Sequence, residues 1–297
     1  MSDPRIATVA VVGAGVIGRS WARVFARAGC RTQIYDNDPG QVEKARAWLE
    51  DVAGVTVHED LAGALAGAGY VQESGPERIE VKKAIYAELD RAAGPEAILA
   101  SSTSALDMTD IAAGLAGAGR SIVAHPVNPP HVVPVVEVLP GKRTEVQVTR
   151  RTCEFLASVG QKPVVLNFYI PGFLLNRMQA ALVREAIHLV ESGVADVEAV
   201  DAVIRDGLGL RWALLGPFGV ADTNADGGIR EYFTRYGSSY VELMSQLGAT
   251  PSFNAALIER LGRATDAMSA APRSEILKWR DLMIRKIRAL KNENPKP

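Results

Sequence analysis

His125 and Glu137 stand twelve residues apart, one closing the apolar run SIVAH (121–125), the other inside VPVVEVLP (133–140). A histidine and a carboxylate on adjacent strands make a proton-transfer pair. The imidazole takes a proton from a hydroxyl, and the carboxylate fixes its tautomer and favours the imidazolium. Hydride removal from an alcohol carbon needs such a base. Two further segments carry small polar groups, SSTSAL (101–106) and PGFLLNRM (171–178). The first follows a predicted strand end, where open α/β sheets bind ligands. Its Ser102 and Ser104 read either as ligand contacts or as a cap for the next helix.

A different chemistry sits near the N-terminus. Gly13-Ala14-Gly15-Val16-Ile17-Gly18 is a GxGxxG between an apolar strand and a helical pattern, the context that makes this motif informative. Gly13 allows the tight turn, Gly15 lets a pyrophosphate reach the backbone, and Gly18 permits close helix–strand packing. The phosphates then face the helix N-terminus at Val16 and Ile17. Asp36, eighteen residues past Gly18, can accept both ribose hydroxyls and would repel a 2′-phosphate. The cofactor expected is therefore NAD rather than NADP. FAD shares the fingerprint, but no further flavin contacts show.

These groups need elements to hold them. Strand patterns at 6–12, 31–35, 55–58, 69–73, 97–100 and 121–125 alternate with helical ones, including 16–28 and 40–50. This predicts an α/β fold, a Rossmann-type doubly wound sheet. Further strands in 133–140 and 162–166, with a helix over 144–159 between them, complete the sheet. After Pro171-Gly172 the pattern becomes helical throughout, from a long amphipathic helix over 173–192 to a last helix over 275–290 and a polar tail, 291–297, that should fray. The composition shift predicts an NAD-binding domain over 1–168 and an all-helical substrate-binding and dimerisation domain over 169–297.

Composition narrows the partners. Thirty-three basic and 34 acidic residues leave a net charge of −1, which argues against a general nucleic-acid binder. Hydrophobic residues make up 47%, enough for a real core. Two cysteines, Cys30 and Cys153, cannot build a disulfide framework or a zinc site, and fit a reducing cytoplasm. The N-terminus lacks the basic region of a signal peptide, and no apolar run is long enough to span a membrane. No metal is expected. The apolar content of the helical half points to a homodimer.

With these residues in view, the sequence resembles the 3-hydroxyacyl-CoA dehydrogenase superfamily, whose motif of type H-x-x-N-P…E is met by His125, Asn128, Pro129 and Glu137. The resemblance implies that His125 and Glu137 are the catalytic pair. It implies that Ser104 is the active-site serine and that Asn176 helps hold the substrate oxygen. It further places Glu77, Lys82, Ser102 and Asn128 on the cofactor side. HPVNPP, DGLGLRWALLGP (206–217) and EILKWRD resemble its L-gulonate 3-dehydrogenase and lambda-crystallin branch, although His131 stands where an aromatic residue is expected. GLRWA (209–213) and GGIR (227–230) are shared with L-carnitine dehydrogenases.

The expected activity is NAD-dependent oxidation of the 3-hydroxyl of a small L-3-hydroxy acid. Acyl-CoA members carry a helical hairpin after the second strand, and only about 20 residues separate Asp36 from VTVH here, room for one helix. Arg211 is read as the substrate carboxylate's partner or as a structural ion pair with Asp206 or another carboxylate, and His131 as a loop residue rather than a second base. L-carnitine and 3-hydroxybutyryl-CoA are the alternative substrates. A non-catalytic, crystallin-like dinucleotide-binding protein is the rival from another class, and the complete His/Glu/Ser/Asn set argues against it.

Overall fold

The computed structural model describes residues 6–296. Residues 1–5, ahead of the first strand, and Pro297, the end of the polar tail, lie outside the described residues. The chain divides into two compact units, Met1–Leu175 and Asn176–Pro297. Residues 169–175, grouped with the helical half by composition, belong to the first unit. The physical reason is Phe173, which is fully buried in the core of that unit.

The first unit alternates strand and helix. In order it contains β1 (Thr8–Val12), α1 (Val16–Arg27), β2 (Arg31–Tyr35), α2 (Pro39–Trp48) and β3 (Val55–His58). There follow α3 (Leu61–Leu65), β4 (Tyr70–Glu73), α4 (Ile79–Ala92), β5 (Ile98–Ser101) and α5 (Met108–Ile111). It closes with β6 (Ser121–Pro126), β7 (Val135–Pro140), α6 (Val146–Ser158) and β8 (Lys162–Val165). The eight strands form one sheet in the order β3-β2-β1-β4-β5-β6-β7-β8. All pairings are parallel except β6 with β7. That exception follows from connection length, because residues 127–134 are too few for a crossover helix.

Alternation along each strand feeds two cores, one per face. Val9, Val11, Ile98, Ala100, Ile122 and Ala124 pack on the face that also buries Trp21, Phe25 and Phe155. Ala10, Val12, Leu99 and Val123 pack on the other, with Tyr86, Leu89 and Phe173. On α1 the apolar positions Trp21, Val24 and Phe25 all point inward. Phe25 stacks on Trp21 at 5.1 Å and on Phe155 at 5.7 Å. Cys30 and Cys153 are free and pack against this core, where burial pushes both thiols up.

The second unit is helical among the described residues. It comprises most of α7 (Leu175–Glu191), then α8 (Val197–Ala202), a π-helical stretch, α9 (Gly209–Asp222), α10 (Gly228–Ser245), α11 (Ala255–Ala267) and α12 (Arg273–Glu293). Gly216, with φ 69°, and Pro217 kink α9. The last helix runs through Lys291, Asn292 and Glu293, three residues into the tail predicted to fray. No described helix is long and apolar enough to cross a membrane.

Candidate active site

The glycine turn after β1 is built by contacts that exclude side chains. Gly13 adopts φ 103°, and a Cβ there would lie 2.7 Å from the Ser74 backbone. A Cβ on Gly18 would lie 1.7 Å from the Gly13 carbonyl oxygen. Gly15 differs, because its Cβ would meet nothing within 4 Å. The protein itself does not need a glycine at 15, whereas a ligand pressed against the backbone does. Gly15 caps α1 with no side-chain hydrogen bond, and no acidic residue sits in the first turn. The N–H groups at the start of α1 are thus available to an anion at the positive end of the helix.

Asp36 ends β2 beside this turn. Its Oδ2 accepts the Ala14 N–H at 2.6 Å and its Oδ1 accepts the Asp38 N–H at 2.9 Å, which orients the carboxylate. A cavity of about 480 Å³ opens here, lined by Gly13, Tyr35, Asp36, Leu61, Pro76 and Ile85. The walls are largely apolar with Glu80 and Glu88 among them, and the Asp36 carboxylate beside the glycine turn suits a nucleoside whose ribose hydroxyls donate. The donor set and the cradle at Gly15 together fit NAD.

The strands next to β1 end in a buried ionic network. Val12, Glu73 and Ser101 align across β1, β4 and β5. Lys82 of α4 donates to both oxygens of Glu73, at 2.9 and 3.0 Å. Lys82 is 1% exposed and Glu73 fully buried. Ser101 also donates its hydroxyl to Glu73, at 2.6 Å. Glu77 lies 3.6 Å from Lys82 and gathers the loop after β5. It accepts from the Thr103 hydroxyl at 2.6 Å and from the N–H groups of Ser104 and Ala105 at 2.8 and 3.1 Å. Burial raises the Glu77 pKa, but these donors and the Lys82 charge prevail and hold it below its ordinary value. Ser102 is fixed separately, accepting from Gln72 at 2.8 Å and sharing a hydrogen bond with Ser74 at 2.9 Å. The helix-cap reading of these serines fails, because Asp107 caps α5 by accepting from Thr109.

His125 and Glu137 occupy directly opposed positions of the antiparallel β6–β7 pair. The twelve-residue spacing becomes a contact, with His125 Nδ1 2.8 Å from Glu137 Oε2. Glu137 Oε1 accepts the N–H groups of Leu174 and Leu175 at 2.8 and 2.9 Å. Burial pushes the Glu137 carboxyl up, but the His125 hydrogen bond and the two N–H donors outweigh it and hold its pKa below the ordinary value. An ionised Glu137 can only accept, so Nδ1 carries the donated hydrogen, and in the neutral imidazole this tautomer leaves the lone pair on Nε2. The Phe173 ring meets the imidazole edge-on at 5.5 Å and restricts its rotation. Phe173 itself adopts φ 50° to enter this position.

The other predicted residues fall in three places. Asn128 is exposed in the β6–β7 loop, three residues past His125. His131, in the same loop, is tied to Ser20 of α1 at 2.7 Å and meets Trp48 at 5.4 Å, consistent with its reading as a loop residue. Asn176 is the first residue of the second unit, on α7. Arg211 is exposed on α9. Its anticipated pairing with Asp206 does not form, because Asp206 is held by the adjacent Arg205 at 2.7 Å. Lys82 is not presented as an open cation, since its ammonium is enclosed by Glu73 and the Gly75 carbonyl. Sequence reasoning missed Glu73, Ser101, Thr103 and Phe173. A carboxylate closing an otherwise buried strand, as Glu73 does in YVQE, is the signal that could have found the first of them.

Two family models match this chain along most of its length. The profile of the 3-hydroxyacyl-CoA dehydrogenase NAD binding domain matches residues 8–60 and 47–168. That of the 3-hydroxyacyl-CoA dehydrogenase C-terminal domain matches 172–265. A lambda-crystallin homolog of Bos taurus is 39% identical over 97% of this chain and 96% of its own. An L-carnitine dehydrogenase of Nocardiopsis dassonvillei is 37% identical over 93% of this chain and 89% of its own. Among solved structures, that of 5-formyl-3-hydroxy-2-methylpyridine 4-carboxylic acid 5-dehydrogenase, an NAD+ dependent dismutase, superposes with a TM-score of 0.82. It is 28% identical and covers 98% of this chain and 100% of its own.

Proposed function

Because the chain belongs to the 3-hydroxyacyl-CoA dehydrogenase family and is an NAD-dependent oxidoreductase, we propose that it oxidises the 3-hydroxyl of a small L-3-hydroxy acid of the L-gulonate type. The observation that carries this reading is the His125–Glu137 contact, a base with its proton-bearing nitrogen already assigned. His125 Nε2 takes the hydroxyl proton, and the resulting imidazolium is stabilised by the Glu137 carboxylate 2.8 Å from Nδ1. NAD supplies the hydride acceptor when bound. Ser104, held through its backbone by Glu77, and Asn176 are assigned to the reacting oxygen, and Ser102 and Asn128 to the cofactor side. Glu77 and Lys82 hold the loop that carries Ser104, beside the cofactor.

Two observations support a small acid over a CoA thioester. The segment between β2 and β3 holds the single ten-residue helix α2. The similar solved dehydrogenase acts on a molecule named as a carboxylic acid. A second reading, oxidation of L-carnitine, is favoured by an aromatic stripe on α10. There Tyr232 lies 5.1 Å from Tyr236 and 5.3 Å from Phe233, faces that suit a quaternary ammonium. NADH absorbance with L-gulonate, L-carnitine and L-3-hydroxybutyryl-CoA separates these readings. The expected outcome is turnover with gulonate above the other two. Tight NADH binding with no turnover on a broad hydroxy-acid panel would reject catalysis and favour a crystallin-like role.

A further inference from the structure

Arg184 lies on α7 eight residues after Asn176, about 12 Å along the helix axis. Asn176, Gln179, Ala180, Val183 and Arg184 follow helical spacing and share one face. With Thr250 and Phe253, from the loop between α10 and α11, these residues line a cavity of about 470 Å³. The loop wall is fixed to the same helix. Gly248 donates its N–H to Glu185 at 2.8 Å, and it approaches His188 so closely that a Cβ at 248 would lie 2.3 Å from that side chain.

The cavity wall carries two amides, a hydroxyl and one cation. Among the described residues, Arg184 has no anionic partner, and its Nε is buried without a hydrogen bond. A buried guanidinium N–H left unpaired is costly, so the complement of this wall is an acceptor. The planar fork of arginine matches a carboxylate in particular. Arg211 is the weaker candidate for the same task, since it is exposed and an ion pair in bulk water contributes little. We infer that this cavity of the second unit is a carboxylate-binding site, with Arg184 as its anchor.

The test uses full-length protein loaded with NADH and titrated calorimetrically with malonate, an unreactive carboxylate, and with malonamide, its uncharged counterpart. Malonate should bind saturably and malonamide should not. Arg184→Gln should weaken malonate binding about 10- to 100-fold, the loss of charged hydrogen bonds. Arg184→Lys, which keeps the charge and loses the fork, should weaken it severalfold and decides the matter if the glutamine variant fails to bind NADH. No turnover is needed, so failure of every hydroxy acid to react would sink the dehydrogenase reading without touching this one. Absent malonate binding, equal affinity in wild type and Arg184→Gln, or a loss confined to Arg211→Gln would overturn the assignment. So would an Arg184→Gln variant with altered oligomeric mass and intact malonate affinity, which would place a second copy's carboxylate in the cavity.

Discussion

His125 works only if one nitrogen is committed and the other is not. Glu137 secures this by accepting from Nδ1 while its second oxygen is occupied by the N–H groups of Leu174 and Leu175. His125→Gln should therefore retain NADH affinity and lose about 10²–10⁴-fold in kcat, read by fluorescence titration and steady-state kinetics. Near-normal kcat in that variant would end the proposed mechanism. Glu137 also links stability to pH. Its folded pKa lies below the ordinary 4.5, so its contribution is complete above 4.5 and is lost as pH falls through the lower folded value. In urea denaturation, the stability difference between wild type and Glu137→Gln should be full at pH 7 and should close on acidification. A difference that stays constant across this range would contradict the assignment of an ionised, hydrogen-bonded carboxylate.

At the level of elements, the β1–α1 turn separates folding from binding. Gly18 faces the Gly13 carbonyl, whereas Gly15 faces open space. Gly18→Ala should destabilise the protein by at least about 1–3 kcal/mol through overpacking, seen as a lower thermal midpoint. Gly15→Ala should leave that midpoint unchanged and weaken NADH binding about tenfold or more, because only the ligand meets the added methyl. The reverse pattern would mean that the cradle has another purpose. The β4–α4 and β5–α5 connections form a second device. Lys82 neutralises buried Glu73 and lies beside Glu77, which in turn gathers Thr103, Ser104 and Ala105. Lys82→Met strands a carboxylate that is fully buried and should cost about 3–5 kcal/mol in chemical denaturation. A loss below 1 kcal/mol would show that the pair is not held as described.

For the whole molecule, the two units carry different surfaces. Apolar strand residues of the first unit are used on both sheet faces, and its interior holds the ionic network. The second unit leaves large apolar residues exposed, among them Leu214, Phe218, Trp279 and Leu290 at 60–72%. Monomers seldom leave so many uncovered. The homodimer proposed from composition should accordingly appear as twice the chain mass in size-exclusion chromatography with light scattering. A monomeric mass at micromolar concentration would exclude it.

What the amino-acid sequence determined by itself is what depends on near neighbours. The GxGxxG turn, the strand–helix alternation and Asp36 at the end of β2 follow from short-range sterics and from periods of 2 and 3.6 residues. So does the single helix between β2 and β3, since the residues between those strands leave room for only one. The chemistry of His125 and Glu137 and a family resemblance mark both residues in the sequence, but their contact is a product of register. A one-residue slip of β7 would have turned the carboxylate to the opposite face. Only the tertiary structure decided the rest. It buried Lys82 on Glu73, gave Asp206 to Arg205 instead of Arg211, and set Arg184 over a cavity shared with a loop some 66 residues onward. Each of those partnerships joins charged or polar groups with several options within reach. The choice among them depends on distances that no local pattern encodes.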